Sequence, residues 1–402
     1  MSSGKWIRPR HKLIRNIAYW VLYPYTRIRY RIRIEKCKDK KPRQYLILLN
    51  HQTPFDQFFV GMSFRQPVYY LASEDIFSNG WISTLIRWLV APIPIKKQTM
   101  DIGAIKKCLQ VVAEGGTIAI APEGNRTYSG RTEYMNPSIA GLARRMKLPI
   151  LLYRIEGGYG VEPRWSDCIR RGRMETHIAR VIEPEEYAEM SDEKLFEVIR
   201  DGIYVDEACS DTEFFHKKRA EYLERAIYIC PKCGLAKHVS RDERLGCTIC
   251  GNVVTYGTDK TLSATLPDFP FRYVADWYNW QKDYINDFDP LAYTEKALFT
   301  DVADFSEVIP NEKKIELLPQ CNISLYGDRV VLNEGTETER TYDFENSSAF
   351  TVLGRNKLNI YVGKQIFQLH GDKRFNALKY VHIFNRTRNI RRGDSDGKFL
   401  GL

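Results

Sequence analysis

Short, almost wholly apolar runs set between stretches of helical pattern constrain this chain more than any other feature. Tyr45-Leu46-Ile47-Leu48-Leu49 and Thr117-Ile118-Ala119-Ile120 contain no alternating charged residues. They suit strands buried on both faces. Further strand-like runs lie at 68–72, 92–95, 149–155 and 174–182. Between and after them the pattern predicts helices from about Asp56, near 79–90, at 101–114, at 138–146, and up to about residue 225. Strands alternating with helices predict an α/β fold, a mixed and mostly parallel sheet flanked by helices on both faces.

The rest of the 402-residue chain changes character. Cys230-Pro231-Lys232-Cys233-Gly234 and Cys247-Thr248-Ile249-Cys250-Gly251 are two C-x-x-C pairs, each followed by Gly. Each pair turns two thiolates toward one point, and the Gly permits a left-handed step. Four thiolates complete a closed tetrahedral site, so the spacing predicts a structural zinc ribbon on Cys230, Cys233, Cys247 and Cys250 with no open position for catalysis. The other five cysteines show no pattern, which points to a reducing, cytoplasmic setting. From Leu262 aromatic residues cluster (Phe269, Phe271, Tyr273, Trp277, Tyr278 and Trp280) in the manner of a packing core. After residue 314, alternating stretches at 314–318, 322–326, 329–333, 339–344, 349–353, 357–362 and 365–370 are separated by turn signals. A helix from Phe375 to Phe384 closes the series. Hairpins followed by one helix predict a small β-rich domain of pleckstrin-homology type. The expected division is an α/β domain with a basic amphipathic N-terminal arm at 1–226, the zinc ribbon at 227–257 and the β-rich domain at 258–402.

Charge is concentrated at one end. Residues 1–48 hold fourteen Lys or Arg against Glu35 and Asp39, while the remainder is nearly balanced at 46 basic and 48 acidic residues. A basic arm of this kind serves nucleic acid or an anionic bilayer. Leu13, Ile14, Ile17, Trp20, Val21 and Leu22, with Trp6, Tyr19, Tyr23 and Tyr25 around them, decide for the bilayer, because apolar residues at helical spacing with amphipathic rings suit a helix lying among headgroups. No nucleic-acid partner is expected. The uncharged runs are too short to span about 30 Å of hydrocarbon. The chain therefore reads as peripheral, on the cytoplasmic face of a membrane. Gly80 to Val90, with Trp81, Trp88 and one charge, supplies a second apolar segment. Residues 27–34 alternate Arg with Ile or Tyr, the period of a half-exposed strand.

Asn50-His51-Gln52-Thr53-Pro54-Phe55-Asp56 directly follows the run at 45–49. Pro54 opens a helix, so His51 sits on a strand-to-helix turn and Asp56 in the first helical turn. Strand ends of α/β sheets are where crevices form. A histidine there acts as a base when a carboxylate holds its other ring nitrogen. Ala121-Pro122-Glu123-Gly124-Asn125-Arg126-Thr127 follows the run at 117–120 in the same way.

Together the two blocks resemble the glycerolipid acyltransferase family, specifically the 1-acylglycerol-3-phosphate acyltransferases, whose members carry N-H-x4-D and E-G-T-R-S in this order. The first block matches fully. The second departs at Asn125, where the family has Thr, and at Thr127, where it has Ser. Ile93-Pro94-Ile95-Lys96-Lys97 lies where the family places a phosphate-binding Arg, and Leu148 to Tyr153 resembles its proline-led strand. The resemblance covers roughly the first half of the chain. It implies a glycerolphosphate acyltransferase-like fold and an acyl thioester donor, on coenzyme A or acyl carrier protein. It implies a lysophosphatidate-type acceptor, with His51 as general base beside Asp56. Glu123, Gly124 and Arg126 would bind substrate, with Lys96 or Lys97 as a second cation. The competing readings are an acyltransferase for another glycerol-phosphate or lysolipid, a thioesterase, and a non-catalytic membrane-surface scaffold on the same fold.

Overall fold

The computed structural model describes residues 5–39, 41–78, 80–95, 101–209, 211–310 and 312–393. The chain forms two compact units. One is Met1–Pro163 with Ile169–Phe214, and the other is Arg164–Cys168 with Phe215–Leu402.

The first unit is built on a seven-stranded sheet. Its strands are β1 (Ile32–Ile34), β2 (Leu46–Leu49), β3 (Val68–Ser73), β4 (Ile93–Ile95), β5 (Thr117–Ile120), β6 (Ile150–Glu156) and β7 (Met174–Ile182), in the order β1-β7-β6-β2-β5-β3-β4. All neighbours pair in parallel except β6 and β7, so the sheet is the mixed, parallel-rich one the sequence predicts. β2 is central, and Leu46 faces Ile118 on one side and Ile150 on the other.

The absence of polar alternation in β2 is explained by burial on both faces. Leu46 and Leu48 join Ile118, Ile120, Ile150 and Leu152 in one core. Tyr45, Ile47 and Leu49 join Ala119, Leu151 and Tyr153 in the other. Each fully buried Leu or Ile side chain contributes at most about 1.5–3 kcal/mol. Helices α1 (Pro9–Arg29) and α2 (Asp56–Ser63) cover the second face, and α3 (Trp81–Val90) packs against α1. Helices α4 (Ile102–Ala113), α5 (Ser138–Met146) and α8 (Asp192–Ile203) cover the first. Two short helices, α6 (Gly158–Val161) and α7 (Pro184–Ala188), complete this unit.

One expectation is corrected here. Residues 27–34 are not a single strand. α1 runs through Arg29, its last turn closed by the Tyr30 N–H on the Thr26 carbonyl, and Arg31 then takes a left-handed φ of 52°. Only Ile32–Ile34 is strand. Ile28 points outward while Tyr30 and Ile32 are buried, so the alternating letters do not mark one pleated face.

The second unit opens with the hairpin β8 (Ile229–Cys230) and β9 (Gly234–Leu235). An antiparallel sheet follows: β10 (His238–Arg241), β11 (Arg244–Cys247), β12 (Val253–Tyr256) and β13 (Leu262–Ala264). Helix α9 (Val274–Asp287) brings Trp277 into a stacked contact with Phe271, their ring centroids 5.8 Å apart. This confirms the aromatic cluster as a packing core. Then come β14 (Phe299–Val308), β15 (Lys314–Leu325), β16 (Arg329–Leu332), β17 (Arg340–Asp343), β18 (Ala349–Leu353), β19 (Lys357–Val362) and β20 (Gln365–Gly371). They form one antiparallel sheet in the order β17-β16-β15-β14-β20-β19-β18, closed by α10 (Leu378–Arg392). The stretches read as 314–318 and 322–326 are one strand, interrupted only by Gln320 at a φ of 45°.

Candidate active site

β2 and β5 are adjacent and parallel, with Leu48 opposite Ile120. Whatever follows the two strands must therefore land side by side. The Asn50–Asp56 block follows β2, and the Ala121–Thr127 block follows β5.

In the first block Asp56 organises everything around it. The His51 Nδ1–H donates to Asp56 Oδ2 at 2.7 Å. The same carboxylate accepts from the Gln52 N–H at 2.6 Å and the Thr53 N–H at 3.0 Å, and its Oδ1 accepts from the Thr53 hydroxyl at 2.7 Å. Asp56 is 1% exposed, whereas the His51 side chain keeps 27% of its surface. A carboxylate so surrounded by donors is an acceptor only, so Nδ1 must carry its proton and the lone pair stays on Nε2.

Two further side chains hold the turn. Asn50 donates to the Ile155 carbonyl at 2.8 Å and accepts the Ile155 N–H at 2.7 Å, which continues the pairing with β6 after β2 has ended. Gln52 accepts the Tyr159 N–H at 2.9 Å. Gly158 is needed here, because a Cβ on it would lie 2.5 Å from that of Gln52.

The second block closes on the backbone of the first. Glu123 is buried, and its Oε1 accepts the His51 N–H at 2.8 Å while its Oε2 accepts the Glu133 N–H at 2.8 Å. The Thr127 N–H donates to the His51 carbonyl at 3.2 Å. Thr127 is itself fixed, since its hydroxyl accepts the N–H groups of Ser129 and Gly130 at 3.1 and 2.9 Å. Burial pushes the Glu123 carboxyl up to about 8, against the pull of the Glu133 and His51 N–H groups; the negative charges of Glu133 and Asp56 add to the rise.

Gly124 closes a tight turn, its N–H on the Ala121 carbonyl at 3.0 Å, with a φ of 69° that favours glycine. A Cβ there would touch nothing within 4 Å. The left-handed backbone by itself calls for glycine here, and no protein atom crowds the position. Arg126 is half-buried and lies one residue before the Thr127 contact to His51. Lys96 and Lys97 lie outside the described residues. Residue type and spacing point to His51 and Asp56, and the family resemblance to Glu123, Gly124 and Arg126, but neither marks Asn50, Gln52 or Thr127 as supports. Their only sequence signal is that small polar residues follow wholly apolar strands.

In the second unit the Sγ atoms of Cys230, Cys233, Cys247 and Cys250 lie within 4.8 Å of one another. Gly234 and Gly251 take φ values of 73° and 69°, the left-handed steps expected after each pair. Thiolates about 2.3 Å from a shared tetrahedral zinc would stand about 3.8 Å apart, and Cys230 and Cys250 are 3.7 Å apart. The cluster is compatible with zinc.

Residues 31–155 match the Acyltransferase family model. The 1-acyl-sn-glycerol-3-phosphate acyltransferase of Bacillus subtilis (strain 168) is 21% identical over 147 residues, spanning 36% of this chain and 70% of that protein. The crystal structure of the 1-acyl-sn-glycerophosphate (LPA) acyltransferase PlsC from Thermotoga maritima superposes with a TM-score of 0.41 at 18% identity, covering 49% of this chain and 80% of that one.

Proposed function

We propose that the first unit, which carries the acyltransferase-family region, moves a fatty acyl group from a thioester to the free hydroxyl of a lysophosphatidate-type acceptor. The observation that carries this reading is the His51–Asp56 pair, 2.7 Å apart, with the Glu123–Thr127 loop hydrogen-bonded to both sides of the His51 backbone.

An alcohol is a poor nucleophile at neutral pH and needs a base at the moment of attack. His51 Nε2 takes the acceptor's hydroxyl proton as its oxygen bonds to the thioester carbonyl carbon. Asp56 stabilises the imidazolium that results. The tetrahedral intermediate then expels the thiolate, which recovers the proton from His51, leaving an ester and a free thiol. No protein nucleophile takes part, so no acyl-enzyme forms.

Arg126 offers a planar fork of donors suited to phosphate, with Lys96 or Lys97 as a second cation. Arg126→Ala is expected to raise KM for a phosphorylated acceptor by about 10- to 100-fold, the worth of a hydrogen bond to a charged group. Steady-state kinetics with unchanged KM and kcat would reject the phosphate role. Beside His51, Phe55 packs on Tyr30 and Phe58, with ring centroids 5.2 and 5.3 Å apart, and on Tyr25 at 6.0 Å. In this reading these rings border the acyl chain, of which each buried methylene contributes about 0.8 kcal/mol.

Lipid substrates are reached from the bilayer, and the apolar faces of α1 and α3 support docking there. Leu13, Ile17, Trp20 and Val21 are exposed along α1 at helical spacing, Trp20 by 78%; on α3, Trp81, Leu85 and Trp88 are exposed, Trp81 by 74%. The helices adjoin, since Arg10 lies over the Trp88 ring at 5.1 Å. Among the described residues no helix is long and apolar enough to cross a membrane. In this reading the protein is peripheral, on the cytoplasmic face, its basic arm against anionic headgroups. Replacing Trp20 and Trp81 together by Glu should cut cosedimentation with anionic vesicles at least about tenfold without loss of helical circular dichroism. Undiminished binding would remove this surface from the account.

In the second unit the four cysteines hold a structural Zn²⁺. The order of the seven strands before α10 supports a pleckstrin-homology-type barrel for residues 299–392. The acceptor is tested by presenting purified protein with labelled acyl thioester and a panel of lysolipids on anionic vesicles. Label should enter lysophosphatidate in preference to its unphosphorylated counterpart, and equal transfer to both would overturn the assigned acceptor.

A further inference from the structure

We propose that Glu123 is a positioning residue, whose buried carboxyl group sets the place of the His51 imidazole by bridging two backbone segments, and that it does not contact the acceptor. This rests on the reading of His51 as the general base.

The geometry leaves little of Glu123 for a substrate. Each of its carboxylate oxygens already accepts a backbone N–H at 2.8 Å, one from His51 and the other from Glu133. The residue is 6% exposed. The two segments it joins come from different parts of the chain, the turn after β2 and the loop between β5 and α5. That loop holds His51 a second time, through the Thr127 N–H on the His51 carbonyl. The His51 peptide is thus fixed at its N–H and at its C=O. On its side-chain end, Asp56 fixes the ring. Three constraints leave the imidazole little freedom to turn, which is what a base aimed at one hydroxyl requires. The bridge needs a carboxyl group, whose two oxygens can each accept an N–H. Two inward-facing N–H donors need two acceptor oxygens, and an amide supplies one oxygen and sets its NH₂ against the other donor.

Glu123→Gln tests this with little change of shape. The expected result is a fall in kcat of about tenfold or more, with KM for the phosphorylated lysolipid held within about twofold, the pattern of a lost transition-state arrangement. A raised KM at unchanged kcat would mean that Glu123 meets the acceptor, and would overturn the proposal. Hydrogen exchange gives a readout that does not depend on activity. Amides at residues 51–53 should exchange faster in Glu123→Gln than in the parent protein, while those of β6 keep their protection. Equal exchange at 51–53 would overturn the bridge even if turnover fell. A parent protein with no transferase activity would refute the general-base reading, and the exchange measurement would still decide whether the bridge exists.

Discussion

His51→Ala should lower kcat for acyl transfer by about 10³-fold, within the range that a positioned general base contributes. The fold should survive the change. The side chain is partly exposed, and removing it deprives Asp56 of only one donor, since the Gln52 and Thr53 N–H groups and the Thr53 hydroxyl remain. The melting temperature should therefore move little, and loss of activity would not be a consequence of unfolding. Near-normal turnover in this variant would end the assignment. Asp56 is the poorer probe of chemistry. Asp56→Asn would set an amide NH₂ among buried N–H donors, and an unsatisfied buried group costs about 1–3 kcal/mol by itself. An activity loss there would mix a displaced turn with a misdirected imidazole.

Cys233→Ala is expected to remove stoichiometric zinc and to destabilise the second unit by several kcal/mol. Structural zinc sites supply folding energy directly, about 10–16 kcal/mol of binding free energy in small zinc-finger peptides. For a unit of this size, each kcal/mol shifts the melting temperature by about 2–4 °C, so a fall of about 10 °C or more follows. Metal analysis and calorimetry on the whole protein give both numbers. The four cysteines lie on the β8–β9 hairpin, at the end of β11 and in the turn after it, so without the metal the ribbon should loosen before the sheet of β14–β20. A variant that kept its full zinc complement would refute four-thiolate ligation.

What could be read from the letters follows from burial. β2 and β5 are buried on both faces, so their sequences have no polar alternation and stand out as strands. α5 and β7 begin and end where the pattern places them, at 138–146 and 174–182. β14 was not anticipated. Its Asp301, Asp304 and Glu307 disguise a strand whose Ala303, Phe305 and Val308 are buried. Asp301 is there for a reason that spacing cannot show, as it pairs with the buried Lys379 ammonium at 2.6 Å and accepts the Tyr380 hydroxyl at 2.7 Å. At the site, His51 and Asp56 were legible because their chemistry depends on residue type at close sequence separation. The contact of Glu123 with the His51 N–H was not, because any residue presents a backbone amide. It follows only from the parallel pairing of β2 with β5, which brings positions 72 apart in sequence into contact.

The central claim is that an imidazole directs the acyl group onto an alcohol without an acyl-enzyme. Measuring thiol released and ester formed in the same reaction, with and without lysophosphatidate, tests it most directly. The account predicts one ester per thiol when the acceptor is present and negligible thiol release when it is omitted. Thiol release that continues undiminished without acceptor, with the acyl group recovered as free fatty acid, would contradict it.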